Sequence, residues 1–143
     1  MNTTVEDLRI YNPIFDDFMN ILGYAYEICP GNIPVHNHKS MLGIHGRRTM
    51  FFAEIMSKEL NISDRSDVLV AAFLHDIGKL FTSDRYLHTR LAANLLDACG
   101  FSKNIVKMVN SHMNGSPPDP ITDGEKIVSM ANALATDENI MVV

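Results

Sequence analysis

Apolar positions recur along most of this chain at the three-and-four spacing of helices, with turn-forming residues marking the breaks. Residues 7–28 carry Leu8, Ile14, Phe15, Phe18, Ile21, Leu22 and Tyr26, an amphipathic pattern whose first turn is broken by Pro13. The stretch CPGNIPVHNHK (29–39), with two prolines and a glycine, reads as a loop. A second helix is predicted over 40–60, with Met41, His45, Arg48, Phe52, Ile55 and Met56 near one face. Ser63 or Asp64 is placed to cap a third, running to Asp76 with Gly78 as its terminator. Its middle, VLVAAFL, is apolar all round, the mark of a helix surrounded by others. A fourth helix spans 84–99 and closes at Gly100, and Ser102 caps a fifth that reaches about Met113. NGSPPDPIT (114–122) holds three prolines and a glycine and must be loop. Asp123 caps a sixth segment reaching Thr136. No stretch alternates at period two. The prediction is an all-α bundle of about six helices.

Several polar side chains fall on the apolar faces of these helices. His45 shares a stripe with Phe52 and Ile55, and His75 and Asp76 end the most apolar helix. His88 precedes Leu91, Ala92 and Leu95; His112 follows Ile105, Met108 and Val109; Asn132 sits beside Val128 and Ala135. Burying an unpaired polar group costs roughly 1–3 kcal/mol, so each needs a partner. One inward histidine is ordinarily a core histidine bonded to a carbonyl. Four of them around a single acid are better satisfied together, by a shared divalent cation. Imidazole with carboxylate suits Fe, Mn, Ni, Co or Zn, and calcium, which wants six to eight oxygens, is disfavoured.

Composition narrows the classes without choosing a function. The chain has 143 residues, 46% hydrophobic and 20% charged, enough for one domain with its own core and far from disorder. A net charge of −5 argues against binding a nucleic-acid polymer. The longest aliphatic and aromatic run, residues 68–74, is too short to cross a bilayer, and the N-terminus lacks the layout of a signal peptide. Cys29 and Cys99 form neither a CxxC pair nor a disulfide framework. The expectation is one cytoplasmic domain over 1–143, with no membrane partner. His36 and His38 on the Pro/Gly loop read as solvated, and Met50, Met56, Met108 and Met130 as pliable core filling.

The string AAFLHDIGK (71–79) resembles the signature of the HD superfamily of metal-dependent phosphohydrolases. HGRR (45–48) matches that family's opening HxxR element, 30 residues before the doublet. YLHTRLAANLLDACGF, IVKMVNSHMNG and EKIVSMANAL resemble its later segments, in order. The resemblance implies a helical bundle and one or two divalent ions (Fe, Mn, Ni, Co, Zn or Mg). His45, His75, Asp76 and Asn132 would form a primary site, with His88 and His112 on a second ion. It implies hydrolysis of a phosphoester or phosphoanhydride by a metal-activated water. The substrate would be a small phosphorylated molecule, a nucleotide by the short spacing from His75 to His88. Asp76 would be ligand and water-orienter, Lys79 a point charge for phosphate, and Arg48, one turn from His45, a bidentate oxyanion holder.

Two departures separate this chain from the family pattern. Asn132 stands where the closing aspartate is usual, so the site has one negative charge fewer. The loop after His112 lacks a second histidine and a Gly-Tyr-Pro triplet, which disfavours the branch that hydrolyses cyclic di-GMP. The first departure keeps a second reading open: a catalytically weak metal- or nucleotide-binding sensor or interaction domain. A homodimer is a further expectation, as a cover for exposed apolar surface.

Overall fold

The structure is a computed structural model that describes residues 2–31, 41–113 and 117–137. The loop histidines His36 and His38 lie outside these residues. Seven α-helices are described: α1 (Val5–Tyr11), α2 (Pro13–Ile28), α3 (Leu42–Glu59), α4 (Arg65–Leu74), α5 (Leu87–Ala98), α6 (Lys103–Asn110) and α7 (Asp123–Thr136). A single 3-10 turn, Ile77–Leu80, links α4 to the approach of α5. The described residues contain no strand, only an isolated antiparallel bridge between Pro30 and Met41. Among them no helix is long and apolar enough to cross a membrane, and both cysteines are free thiols.

α4 is the axis of the bundle. Every residue from Val68 to Leu74 is buried, and α3, α6, α7 and α1 all pack on it. The all-round apolar sequence of this helix therefore has neighbours on every side. Phe73 anchors α2 as well, meeting Phe15 edge-on at 5.9 Å and Tyr26 at 5.2 Å between ring centroids. The Tyr26 hydroxyl donates to the Phe73 carbonyl, so the last turn of α4 is held from outside its own hydrogen-bond ladder.

Several expected boundaries are corrected. The first amphipathic segment is two helices, because Asn12 both ends α1 and caps α2, its side chain accepting from the Phe15 amide at 3.0 Å. Pro13 thus begins a helix, at a position whose missing N–H is no loss. Asp64 precedes α4 but makes no side-chain cap; it accepts from Asn104 Nδ2 at 2.7 Å and ties α4 to α6. α5 starts at Leu87 because Asp84 turns back to accept from the Tyr86 and Leu87 amides, both at 2.8 Å. Thr122, not Asp123, caps α7, in a reciprocal box with Glu125. α6 ends at Asn110, so His112 lies beyond the helix. The inner face of α3 also differs. Ile55 is exposed and Phe52 half-buried, while Gly43, Gly46, Ala53 and Ser57 face inward and let neighbouring helices come close.

Two of the motif glycines explain how the helices approach. A Cβ on Gly46 would lie 2.5 Å from the Phe73 carbonyl oxygen, so only glycine allows α3 to touch the end of α4. On Gly78 it would lie 1.9 Å from the His88 carbonyl oxygen, inside any contact distance. Gly78 therefore does not act as the expected helix terminator; it sits within the 3-10 turn and admits the first turn of α5. Gly78→Ala should destabilise the protein by on the order of 3 kcal/mol, the cost of forcing backbone apart in a packed core. Urea denaturation measures this, and a variant with wild-type stability would show that the turn has room.

Candidate metal centre

Five segments deliver polar side chains to one buried point. His45 comes from the first turn of α3, His75 and Asp76 from the residues just after α4, and His88 from the first turn of α5. His112 follows the end of α6, and Asn132 lies in the middle of α7. His75, Asp76, His88 and His112 are almost wholly buried.

The Asp76 carboxylate is the centre of this arrangement. Its Oδ2 lies 3.5 Å from His45 Nε2 and 3.4 Å from His75 Nε2. Its Oδ1 lies 3.3 Å from His88 Nε2 and 3.5 Å from His112 Nε2. The carboxylate therefore divides the histidines into two groups, His45/His75 and His88/His112, and each group with Asp76 has the compactness a metal ion requires. Asn132 Oδ1 joins the first group, 3.0 Å from His45 Nε2 and 3.1 Å from His75 Nε2. Lys79 Nζ reaches Asp76 Oδ2 at 3.1 Å from the 3-10 turn.

The donor and acceptor balance shows that these residues fit a cation. His75 Nδ1 donates to the Ala72 carbonyl at 2.7 Å, and His112 Nδ1 to the Val109 carbonyl at 2.6 Å. Such bonds, to a carbonyl three residues back, fix the ring and aim Nε2 into the cluster. Burial is the main influence that brings the His112 pKa down to about 4, so at neutral pH its Nε2 is a bare lone pair. That nitrogen is buried without a hydrogen-bond partner, and the group it faces, Asp76 Oδ1, is itself an acceptor. Burial and the neighbouring His75 likewise lower His45 to about 4. Burial alone would raise the Asp76 pKa. The electrostatic influence of the neighbouring His75 and of the Lys79 ammonium outweighs it and holds the carboxyl well below its usual range. Lone pairs facing an ionised carboxylate in a dry interior require positive charge between them.

A model of the HD domain family matches residues 42–137. The chain belongs to the HD domain family. Members of this family are generally metal-dependent phosphohydrolases. No curated protein and no solved structure matches the chain.

Of the residues expected at the site, the structure brings together His45, His75, Asp76, Lys79, His88, His112 and Asn132. Arg48 goes elsewhere, a correction to the expected oxyanion holder. Its Nε donates to the Ala135 carbonyl at 3.1 Å and its Nη2 to the Asp137 carbonyl at 3.0 Å. The cause is the end of α7, whose last carbonyls lack intrahelical donors and attract a guanidinium. Arg48 thus secures α7, and with it Asn132. Arg47 pairs with Glu27 at 2.6 Å and lies 5.5 Å over the Phe73 ring. Tyr26 was legible only as a core residue; its hydroxyl lies beside Gly46 and braces α4 immediately before His75.

These pKa shifts set the acid sensitivity of the metal-free protein. His45 and His112 titrate near 4 when folded and near 6.5 when unfolded, so between these values the unfolded chain binds more protons. Stability should be full above pH 6.5 and fall as pH drops from 6.5 toward 4. Urea midpoints across that range would show the slope, and His112→Gln should make it shallower. A midpoint flat over the range would show that neither imidazole is held neutral by the fold.

Proposed function

We propose that this protein is a metal-dependent phosphohydrolase acting on a small phosphorylated molecule, a nucleotide by preference. The observation that carries the reading is one ionised carboxylate shared between two buried histidine pairs, with a lysine ammonium at its edge. His45, His75, Asp76 and Asn132 would hold one divalent ion, and Asp76, His88 and His112 a second. Fe, Mn, Ni, Co, Zn or Mg are the candidates, since the set offers imidazole nitrogen and carboxylate oxygen without thiolate. A bound ion of this kind supplies Lewis acidity toward a phosphoryl oxygen and lowers the pKa of water into the neutral range.

The chain's own groups then have distinct tasks. Asp76 joins the two halves, and its charge orients a water for in-line attack on phosphorus. Lys79 is less than one-fifth exposed, which keeps its ammonium desolvated and effective as a point charge for a phosphate oxygen. Histidines ligate in the neutral form, so the ligand set carries a single formal negative charge, on Asp76. An aspartate in place of Asn132 would add another. The neutral amide leaves the loaded site more positive, which weakens ion retention and strengthens attraction for a polyanionic substrate. The second reading, a sensor domain of low activity, rests on this same asparagine.

A panel of nucleotides and phosphate esters, assayed with added Mn²⁺, Fe²⁺, Mg²⁺ and Ni²⁺, separates the two readings. Turnover that vanishes in Asp76→Asn while the fold persists is the expected result. Saturating metal without turnover on any compound would establish the sensor instead. His75→Ala should abolish metal binding, and full retention would overturn the ligand assignment. Lys79→Ala should raise KM or lower kcat and leave metal content unchanged. Asn132→Asp should retain metal better against a chelator; equal affinity would place Asn132 outside the coordination shell.

A further inference from the structure

Two polar contacts between α3 and α7 lie one turn apart on each helix. The first is in the cluster, where Asn132 Oδ1 is 3.0 Å from His45 Nε2. The second is the Arg48 fork, whose Nε and Nη2 donate to the Ala135 and Asp137 carbonyls at 3.1 and 3.0 Å. Arg48 follows His45 by three residues and Ala135 follows Asn132 by three, so the fork holds the turn next to the amide. The amide needs such support. The neutral His75 ring carries its proton on Nδ1, bonded to the Ala72 carbonyl, so its Nε2, 3.1 Å from Asn132 Oδ1, is a second acceptor. His45 Nε2 is then the donor to this oxygen, and a histidine that ligates through Nε2 has no proton there to donate. In the ligating arrangement the place of Oδ1 is therefore set by the backbone of α7.

We propose, on the ligand assignment given above, that Arg48 is a positioning residue for the ion held by His45, His75, Asp76 and Asn132. Its fork fixes the end of α7 against α3 and so keeps Asn132 Oδ1 where it can ligate. An amide oxygen is a neutral ligand, weaker than a carboxylate, and its contribution depends on being delivered to the right place. Arg48 is half-buried against the buried Ala135, and its two carbonyl partners belong to a helix end that cannot satisfy them itself. A lysine there would keep the charge but lack the planar fork that fixes both carbonyls. The sign of the effect separates position from charge. A guanidinium near the cluster repels a cation, so removing its charge alone would tighten metal binding. Removing the fork should loosen it.

Mn²⁺ retention by the full chain against a competing chelator tests the proposal, in a cycle with Asn132. Arg48→Gln should lower Mn²⁺ affinity about 10-fold, the low end of what losing a group that supports a ligand costs, and Arg48→Lys should lower it by less. Asn132→Ala should lower it at least as much as Arg48→Gln. Adding Arg48→Gln to Asn132→Ala should then weaken binding no more than about twofold further. Helical circular dichroism reports whether each variant is folded; should Arg48→Gln fail to fold, Arg48→Lys takes its place in the cycle. An Arg48→Gln protein that holds Mn²⁺ as well as the wild type, or more tightly, overturns the proposal. So does an equal loss in the Asn132→Ala background, which would mean that Arg48 acts on the fold or through another ligand. A wild type that takes up no Mn²⁺ overturns the ligand assignment itself, and the proposal with it.

Discussion

A carboxylate ringed by imidazole nitrogens in a dry interior is the constraint around which this fold is arranged. Asp76 has histidine nitrogens at 3.3 to 3.5 Å around both its oxygens. A lone ionised carboxylate at that depth would be untenable without compensating charge. Lys79 supplies part of it, and the remaining deficit is what suits the cluster to divalent ions. The cluster is also the meeting point of α3, α4, α5 and α7 and of the chain leaving α6. Packing and chemistry are thus imposed on the same residues.

Small residues make this convergence possible. Gly46 brings α3 onto the end of α4, and Gly78 brings α5 onto the 3-10 turn. Both stand beside ligand candidates in sequence, Gly46 next to His45 and Gly78 two residues after Asp76. Their role is steric: each removes the one atom that would hold a helix away from the site. Around them the bracing is long-range, from the Tyr26 hydroxyl on α4 and the Arg48 guanidinium on the end of α7.

The helices and the inward direction of the polar residues were legible from sequence, because a three-and-four periodicity reports which face of a helix is dry. His88 and Asn132 are set by such stripes. The split at Asn12 was harder to see, since a proline within an apolar pattern equally describes a frayed turn and a new start. The inner face of α3 was misread because large hydrophobic residues were taken to mark it, whereas this helix buries Gly43, Gly46, Ala53 and Ser57 beside Leu42 and Met50 and leaves Ile55 exposed. Arg48 shares the face of His45, and periodicity says nothing of carbonyls on α7, 87 residues away. Side-chain reach is a tertiary property, and for a long guanidinium the local pattern does not contain it.

The carbonyl bonds of His75 and His112 have one more effect. Each ring is pinned through Nδ1 to the turn that precedes it, so neither can rotate to offer its other nitrogen. The conformational entropy of these rings is lost when the helices fold, before any ion arrives. Ion capture then requires little rearrangement of the protein. Discrimination between metals rests on how well an ion's preferred geometry suits lone pairs already aimed, a rigid template that a flexible loop of histidines would not provide.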